Sequence, residues 1–297
     1  MPFHWSPDPI LVELGSLELR WYGVCFAIGI LWGATLLPRY YQQRGFTEEH
    51  ANALSIWIPF CMIIGAHLVH IVFYDTELLV RFWRVPDFEH LLPILDVRSG
   101  LASHGGGLGC IFAVWSYARR KKLDTFELLD ATMMAAVWVF PWVRIGNFIN
   151  SEIVGRPGDV PWAIVFDRID SVPRHPTQIY EATLGFLLIG FAVWVNRHHA
   201  QRLRPGALFF TLLGLYFVAR FIVEFWKEYQ TLDPNVSPLT MGQWLSLPIF
   251  TVCGLVLVLS KRHGALTPPD PDQRWWERGA TGGTDAPASE DDAPVAF

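Results

Sequence analysis

Apolar residues in this chain gather into long blocks, and polar residues collect between them. A bilayer core is crossed by about 20 apolar residues in helical form. Blocks of that size lie at residues 21–37, 53–74, 101–118, 128–149, 179–195, 206–225 and 241–260. The pattern predicts an all-α, polytopic integral membrane protein of about seven transmembrane helices. The third and fourth blocks are the least apolar, because they carry His104, Asp130, Arg144 and Asn147. Pro59, Pro141 and Pro248 fall inside blocks, where neighbouring helices satisfy the carbonyls they free.

Lys and Arg in short loops orient a membrane protein. Arg39 and Arg44 follow the first block, and Arg119, Arg120, Lys121 and Lys122 follow the third. Arg197, Arg202 and Arg204 follow the fifth, with Lys261 and Arg262 after the seventh. These clusters share one side, which predicts the N-terminus outside and the C-terminus cytoplasmic. The loops 75–100, 150–178 and 226–240 fall on the other side and balance their bases with acids. Residues 1–263 are expected to form one transmembrane catalytic domain. Residues 264–297 are rich in Pro, Gly, Asp and Glu and bury too little apolar area to order. They are expected to be a disordered cytoplasmic tail.

Composition agrees with this reading. The 297 residues are 52% hydrophobic and only 17% charged, too few charges to cover a water-facing surface. The net charge of −5 and the lack of a basic run with interleaved aromatics argue against nucleic-acid binding. Cys25, Cys61, Cys110 and Cys253 lie in or beside apolar blocks without metal-site or disulfide spacing, and read as small buried hydrophobes. MPFHWSPDPI has no basic region ahead of an apolar core, so a cleaved signal peptide is not expected.

The informative residues are polar groups placed where lipid should be, since each is costly and normally faces a cavity. His104 lies in SHGGGLG, where glycines 105, 106, 107 and 109 either open space around the imidazole or pack helices tightly. In VRIGNFINSEIVGRP, Arg144, Asn147 and Ser151 recur at helical spacing, followed by Asn150, Glu152 and Arg156. A guanidinium fork suits phosphate oxygens, and amides suit glyceryl hydroxyls. The bland alternative is a snorkelling arginine beside ordinary caps. Arg220 and Glu224 are four apart, either paired along their helix or presenting a positioned cation. In PRHPTQIYEA, Pro176 and the polar residues of the following turn fit a helix start. Tyr22 fits an interfacial aromatic.

The segments RWYG, SHGG, RIGNFIN-x-E-x-x-GR, PRHPTQIYEA, RFIVEF and LTMGQWLSLP occur together in this order. That set resembles the prolipoprotein diacylglyceryl transferase family, from about Leu14 to Ser260. The resemblance implies a seven-helix enzyme of the bacterial inner membrane, with its active site toward the periplasmic, outer leaflet. Its members move diacylglyceryl from phosphatidylglycerol to the lipobox cysteine of a prolipoprotein signal peptide, releasing glycerol phosphate. On the same basis Tyr22, His104, Arg144, Asn147, Asn150, Glu152, Gly155, Arg220 and Glu224 match positions used for activity or lipid binding, and Asp130 matches a family acid. The chain departs from the pattern at His67 and Val69, where an arginine and a glycine are usual. It departs again at SGLAS before His104, and at Val143.

These residues support substitution at carbon by a thiol that the peptide substrate supplies. A free thiol titrates at about pH 8.5, so it needs a base or a cationic field near neutral pH. His104 is the leading candidate base, with an arginine field alone as the alternative. Arg144 and Arg220 would clamp the phosphodiester, and Tyr22, Asn147 and Glu152 would orient the glyceryl group. No metal or other cofactor is expected. A solute transporter and an intramembrane protease are the rival classes. The first predicts no covalent product, and the second lacks a GxS motif on an apolar helix.

Overall fold

The computed structural model describes residues 3–15, 17–96, 100–199, 203–229 and 237–262. The segment 264–297, expected to be a tail, lies outside them. Among the described residues there are ten α-helices: α1 Trp21–Gln42, α2 Glu48–Phe73, α3 Thr76–Arg84, α4 Phe88–Leu95, α5 Ser103–Lys121, α6 Thr125–Ala136, α7 Val139–Ile149, α8 Thr177–His199, α9 Ala207–Val223 and α10 Met241–Arg262. Six stretches are long and apolar enough to cross a membrane: Trp21–Gln42, Glu48–Phe73, Thr125–Ile149, Thr177–His199, Ala207–Trp226 and Met241–Ser260. The third expected span is the helix α5, of 19 residues. Its glycine-rich start and Arg119-Arg120-Lys121 end keep it out of that group. The chain is a helical polytopic membrane protein.

Five short strands were not expected from the sequence: β1 Phe3–Trp5, β2 Ile10–Leu14, β3 Leu17–Arg20, β4 Ile164–Phe166 and β5 Pro173–Arg174. β2 and β3 form an antiparallel hairpin whose turn uses Gly15 at a φ of 64°. β1 pairs parallel with β4, Phe3 opposite Ile164, and β5 completes a three-stranded sheet. Residues 75–100, read as loop, instead carry α3 and α4. In α3, Glu77 and Arg81 pair one turn apart at 2.9 Å.

The described residues divide into two compact units, 3–40 with 130–262, and 41–129. In the second unit α2 and α5 run antiparallel in close contact. A Cβ at Gly105 would lie 2.3 Å from the Gly65 carbonyl oxygen, and one at Gly109 would lie 2.1 Å from the Cys61 oxygen. Gly105 and Gly109 therefore serve helix packing, whereas Gly107 meets nothing within 4 Å. His67 on α2 faces the carbonyls of Ile94 at 2.7 Å and Gly100 at 3.4 Å, and Ala66 O accepts from Ala102 N. These contacts fasten the approach to α5, whose first turn holds His104.

In the first unit α7 packs on α8, α8 on α9, and α9 on α10. Asp130 is fully buried and closes the start of α9 from a distance. Its carboxylate accepts from Gly206 N at 3.0 Å and Phe209 N at 2.7 Å. These are N–H groups that a helix start leaves without intrahelical partners. Asp130→Ala strands both, and is expected to cost about 2–3 kcal/mol. Thermal unfolding in detergent checks this, and an unchanged midpoint would remove Asp130 from the capping role.

Candidate active site

Five helix ends of the first unit converge at one place. They are the starts of α1, α8 and α10 and the ends of α7 and α9. On α7, Arg144 and Asn147 are buried on one face with Gly146 and Pro141, as their spacing predicted. Gly146 lets α1 approach, since a Cβ there would lie 3.1 Å from Tyr22 Cα. Tyr22 stacks on Phe26 and lies within the electrostatic reach of Arg144 and Glu152. Ser151 is buried, but it leaves the helix with a φ of 57°.

Beyond α7 the backbone is strained. Ser151 and Ile153 both adopt the left-handed conformation, at φ 57° and 56°. For a β-branched residue such as Ile153 this is a true outlier. Such conformations cost of order 1–3 kcal/mol each and persist only where surroundings enforce them. Here Gln178 Nε2 donates to Glu152 O at 2.7 Å, and Thr177 Oγ1 donates to Ile153 O at 3.2 Å. The strain turns Glu152 back over the helix end. Its carboxylate accepts from Asn147 Nδ2 and Asn150 Nδ2, each at 3.1 Å. Asn147 Oδ1 in turn accepts from Arg144 Nη1 at 3.3 Å.

Gly155 has a backbone reason to be glycine. Its N–H donates to His175 O at 3.1 Å, and a Cβ would stand 2.3 Å from that oxygen. The start of α8 is held nearby by Arg174, which reaches Asp170, Glu228 and the Gly155 carbonyl. The guanidinium beside Asp170 holds its carboxyl below the usual carboxylate range.

The centre of the site is a buried charge cluster. Glu181 on α8 lies with Oε2 3.2 Å from Arg144 Nε and with Oε1 2.9 Å from Lys227 Nζ. The Arg144 contact is an ion pair without hydrogen-bond alignment, since Glu181 Oε2 makes no hydrogen bond among the described residues. Lys227 Nζ is also 3.1 Å from Glu224 Oε2. Arg220, on α9, lies within electrostatic reach of Glu181, and its buried Nε has no hydrogen-bond partner among the described residues. Tyr216, on α9, lies within electrostatic reach of Arg144. Glu224 presses on the start of α10, where a Cβ on Gly242 would lie 2.3 Å from Oε1. Thr240 and Gln243 form a reciprocal cap there, Thr240 N to Gln243 Oε1 at 3.0 Å and Gln243 N to Thr240 Oγ1 at 3.2 Å. This accounts for the polar half of LTMGQW.

The structure thus brings together Tyr22, Arg144, Asn147, Asn150, Glu152, Arg220 and Glu224, with Gly155 packed behind them. His104 belongs to the second unit. Sequence reasoning missed Lys227 and Tyr216, and assigned Glu181 and Gln178 to helix capping. The available signal was spacing, as Lys227 follows Glu224 by three residues and Tyr216 precedes Arg220 by four. Among the described residues of the buried cluster three cations, Arg144, Arg220 and Lys227, face two carboxylates, Glu181 and Glu224, while the exposed Glu152 lies outside it on the amides of Asn147 and Asn150. One positive charge is left over. Such a surplus beside a free guanidinium donor suits a monoanionic phosphodiester.

Known sequences resemble this chain over most of its length. The pattern of the family described as prolipoprotein diacylglyceryl transferase matches residues 9–259. A phosphatidylglycerol–prolipoprotein diacylglyceryl transferase from Tolumonas auensis is 38% identical, covering 86% of this chain and 96% of its own length. Proteins of the same name from Bacteroides fragilis and Chloroherpeton thalassium are 36% and 37% identical. They cover 86% and 88% of this chain, and 94% and 96% of their own lengths. With matches across all the spans that carry the cluster, the chain belongs to the prolipoprotein diacylglyceryl transferase family.

Proposed function

We propose that this protein transfers the diacylglyceryl group of phosphatidylglycerol to the lipobox cysteine of a prolipoprotein signal peptide. The observation that carries this reading is the surplus positive charge of the buried cluster, next to Arg220 Nε, which has no hydrogen-bond partner among the described residues. Family membership adds the reaction. Arg144 and Arg220 grip the phosphodiester oxygens, while Tyr22, Asn147 and Glu152 orient the glyceryl hydroxyls. The thiol loses its proton to His104 and attacks the glyceryl methylene. The C–S bond forms as the C–O bond to phosphorus breaks, and glycerol phosphate leaves with the bond pair. Electrons and atoms balance without a redox or nucleotide cofactor. Fixed donors in a dry site stabilise the charge gathering on the departing phosphate. The basic residues gathered in the loops 197–204 and 261–262 support a reading in which this end of the first unit faces the periplasmic leaflet of the bacterial inner membrane.

The test is direct. Purified protein is incubated with phosphatidylglycerol and a lipobox peptide, and the peptide is weighed by mass spectrometry. A diacylglyceryl mass gain is expected, and none with a peptide whose cysteine is serine. A wild-type protein that leaves the cysteine peptide unmodified would overturn the reading. His104→Gln with near-normal transfer would retire only the base.

A further inference from the structure

Lys227 is the least expected member of the cluster. It is 2% exposed, among the largest fully buried side chains of the chain. A buried ammonium is costly unless paired, and this one is paired twice, to Glu181 at 2.9 Å and Glu224 at 3.1 Å. Its backbone is fixed as well. Its N–H donates to Glu224 O at 3.2 Å, its carbonyl accepts from Arg156 Nε at 2.7 Å, and it bridges to Gly155. Lys227 thus takes one oxygen of Glu181 while Arg144 faces the other.

We propose that Lys227 is a positioning residue for lipid binding, neutralising Glu181 and Glu224 so that Arg144 and Arg220 keep a free positive charge for the phosphodiester. This rests on reading the cluster as the lipid-phosphate site. Lys227 does not itself touch the lipid. Without it, two arginines face two carboxylates and the surplus disappears. Each carboxylate then has only an arginine to turn to, and the guanidinium donors are consumed inside the protein.

Charge arithmetic supplies a test that ordinary destabilisation does not imitate. Lys227→Met leaves the cluster neutral. Adding Glu224→Gln removes one carboxylate and restores a surplus of one. KM for phosphatidylglycerol in mixed micelles is measured with a fixed lipobox peptide. Lys227→Met is expected to raise KM by about tenfold or more, a modest share of the attraction between close charges in a protein interior. Lys227→Arg is expected to stay near wild type, and Lys227→Met with Glu224→Gln to recover much of the KM. An unchanged KM in folded Lys227→Met overturns the proposal, as does a double variant with no recovery. If Lys227→Met does not fold, the double variant is compared with wild type alone, and a KM tenfold higher overturns it. Wild-type protein that makes no thioether sinks the underlying reading instead.

Discussion

Arg144→Ala is expected to slow thioether formation by about 10²- to 10³-fold, the loss typical of removing one well-placed donor from a dry site. Among the described residues, Arg144 joins the buried cluster to the Asn147–Glu152 pair beside it. It faces Glu181 at 3.2 Å and donates to Asn147 at 3.3 Å, and Asn147 reaches Glu152 at 3.1 Å. Its removal also relieves Glu181 of one partner. Breaking a buried pair costs about 3–5 kcal/mol when a charge is left alone. Lys227 still holds the other Glu181 oxygen, so the fold is expected to survive with a lower melting midpoint. Arg144→Lys separates charge from geometry. It keeps the cation but loses the planar fork, so most activity is expected to go while stability stays near normal. Single-turnover rates with thermal unfolding on the same samples check both statements. Arg144→Lys with wild-type rates would mean that charge alone suffices there.

Gly109→Ala is expected to disrupt the second unit more than any other single methyl. The added Cβ would stand 2.1 Å from the Cys61 carbonyl oxygen and 2.8 Å from its carbon, both backbone atoms. Backbone on a neighbouring helix gives way only if the helices part. Overpacking a well-fitted site commonly costs about 1–3 kcal/mol, and a carbonyl at this distance puts the substitution at or above that range. Gly107→Ala is the internal control. It meets open space and gains up to about 1 kcal/mol of helix propensity. Thermal midpoints in detergent are expected to fall for Gly109→Ala and hold for Gly107→Ala. Equal midpoints would contradict the packing seen between α2 and α5.

What was legible in the sequence follows from how locally it was encoded. The helical spacing of Arg144 and Asn147 placed both on one buried face because α7 is regular to Ile149. The same spacing misplaced Ser151, since no periodicity reports a helix that ends in a left-handed turn. Lys227 was hidden because a lysine at the end of an apolar span reads as an interfacial anchor. Only the fold, by bringing α8 beside α9, turns it inward onto Glu181. Glu181 was hidden for the converse reason, as a polar residue near a helix start is ordinary. The glycines of SHGGGLG left two roles open, and the structure divides them, with Gly105 and Gly109 against α2 and Gly107 free. The pairing of β1 with β4 joins residues some 160 positions apart, Phe3 with Ile164. No local signal announces such a contact between three-residue strands.

Retention of lipid by the purified protein tests most directly whether spare guanidinium charge holds an anionic headgroup. Phosphatidylglycerol and diacylglycerol with the same acyl chains are offered in equal amounts, and native mass spectrometry counts the bound molecules. Preferential retention of phosphatidylglycerol is expected in the wild type, with the preference lost when Arg144 and Arg220 are both replaced by glutamine. Equal retention of the two lipids by wild-type protein, or an undiminished preference in the doubly substituted one, would contradict it.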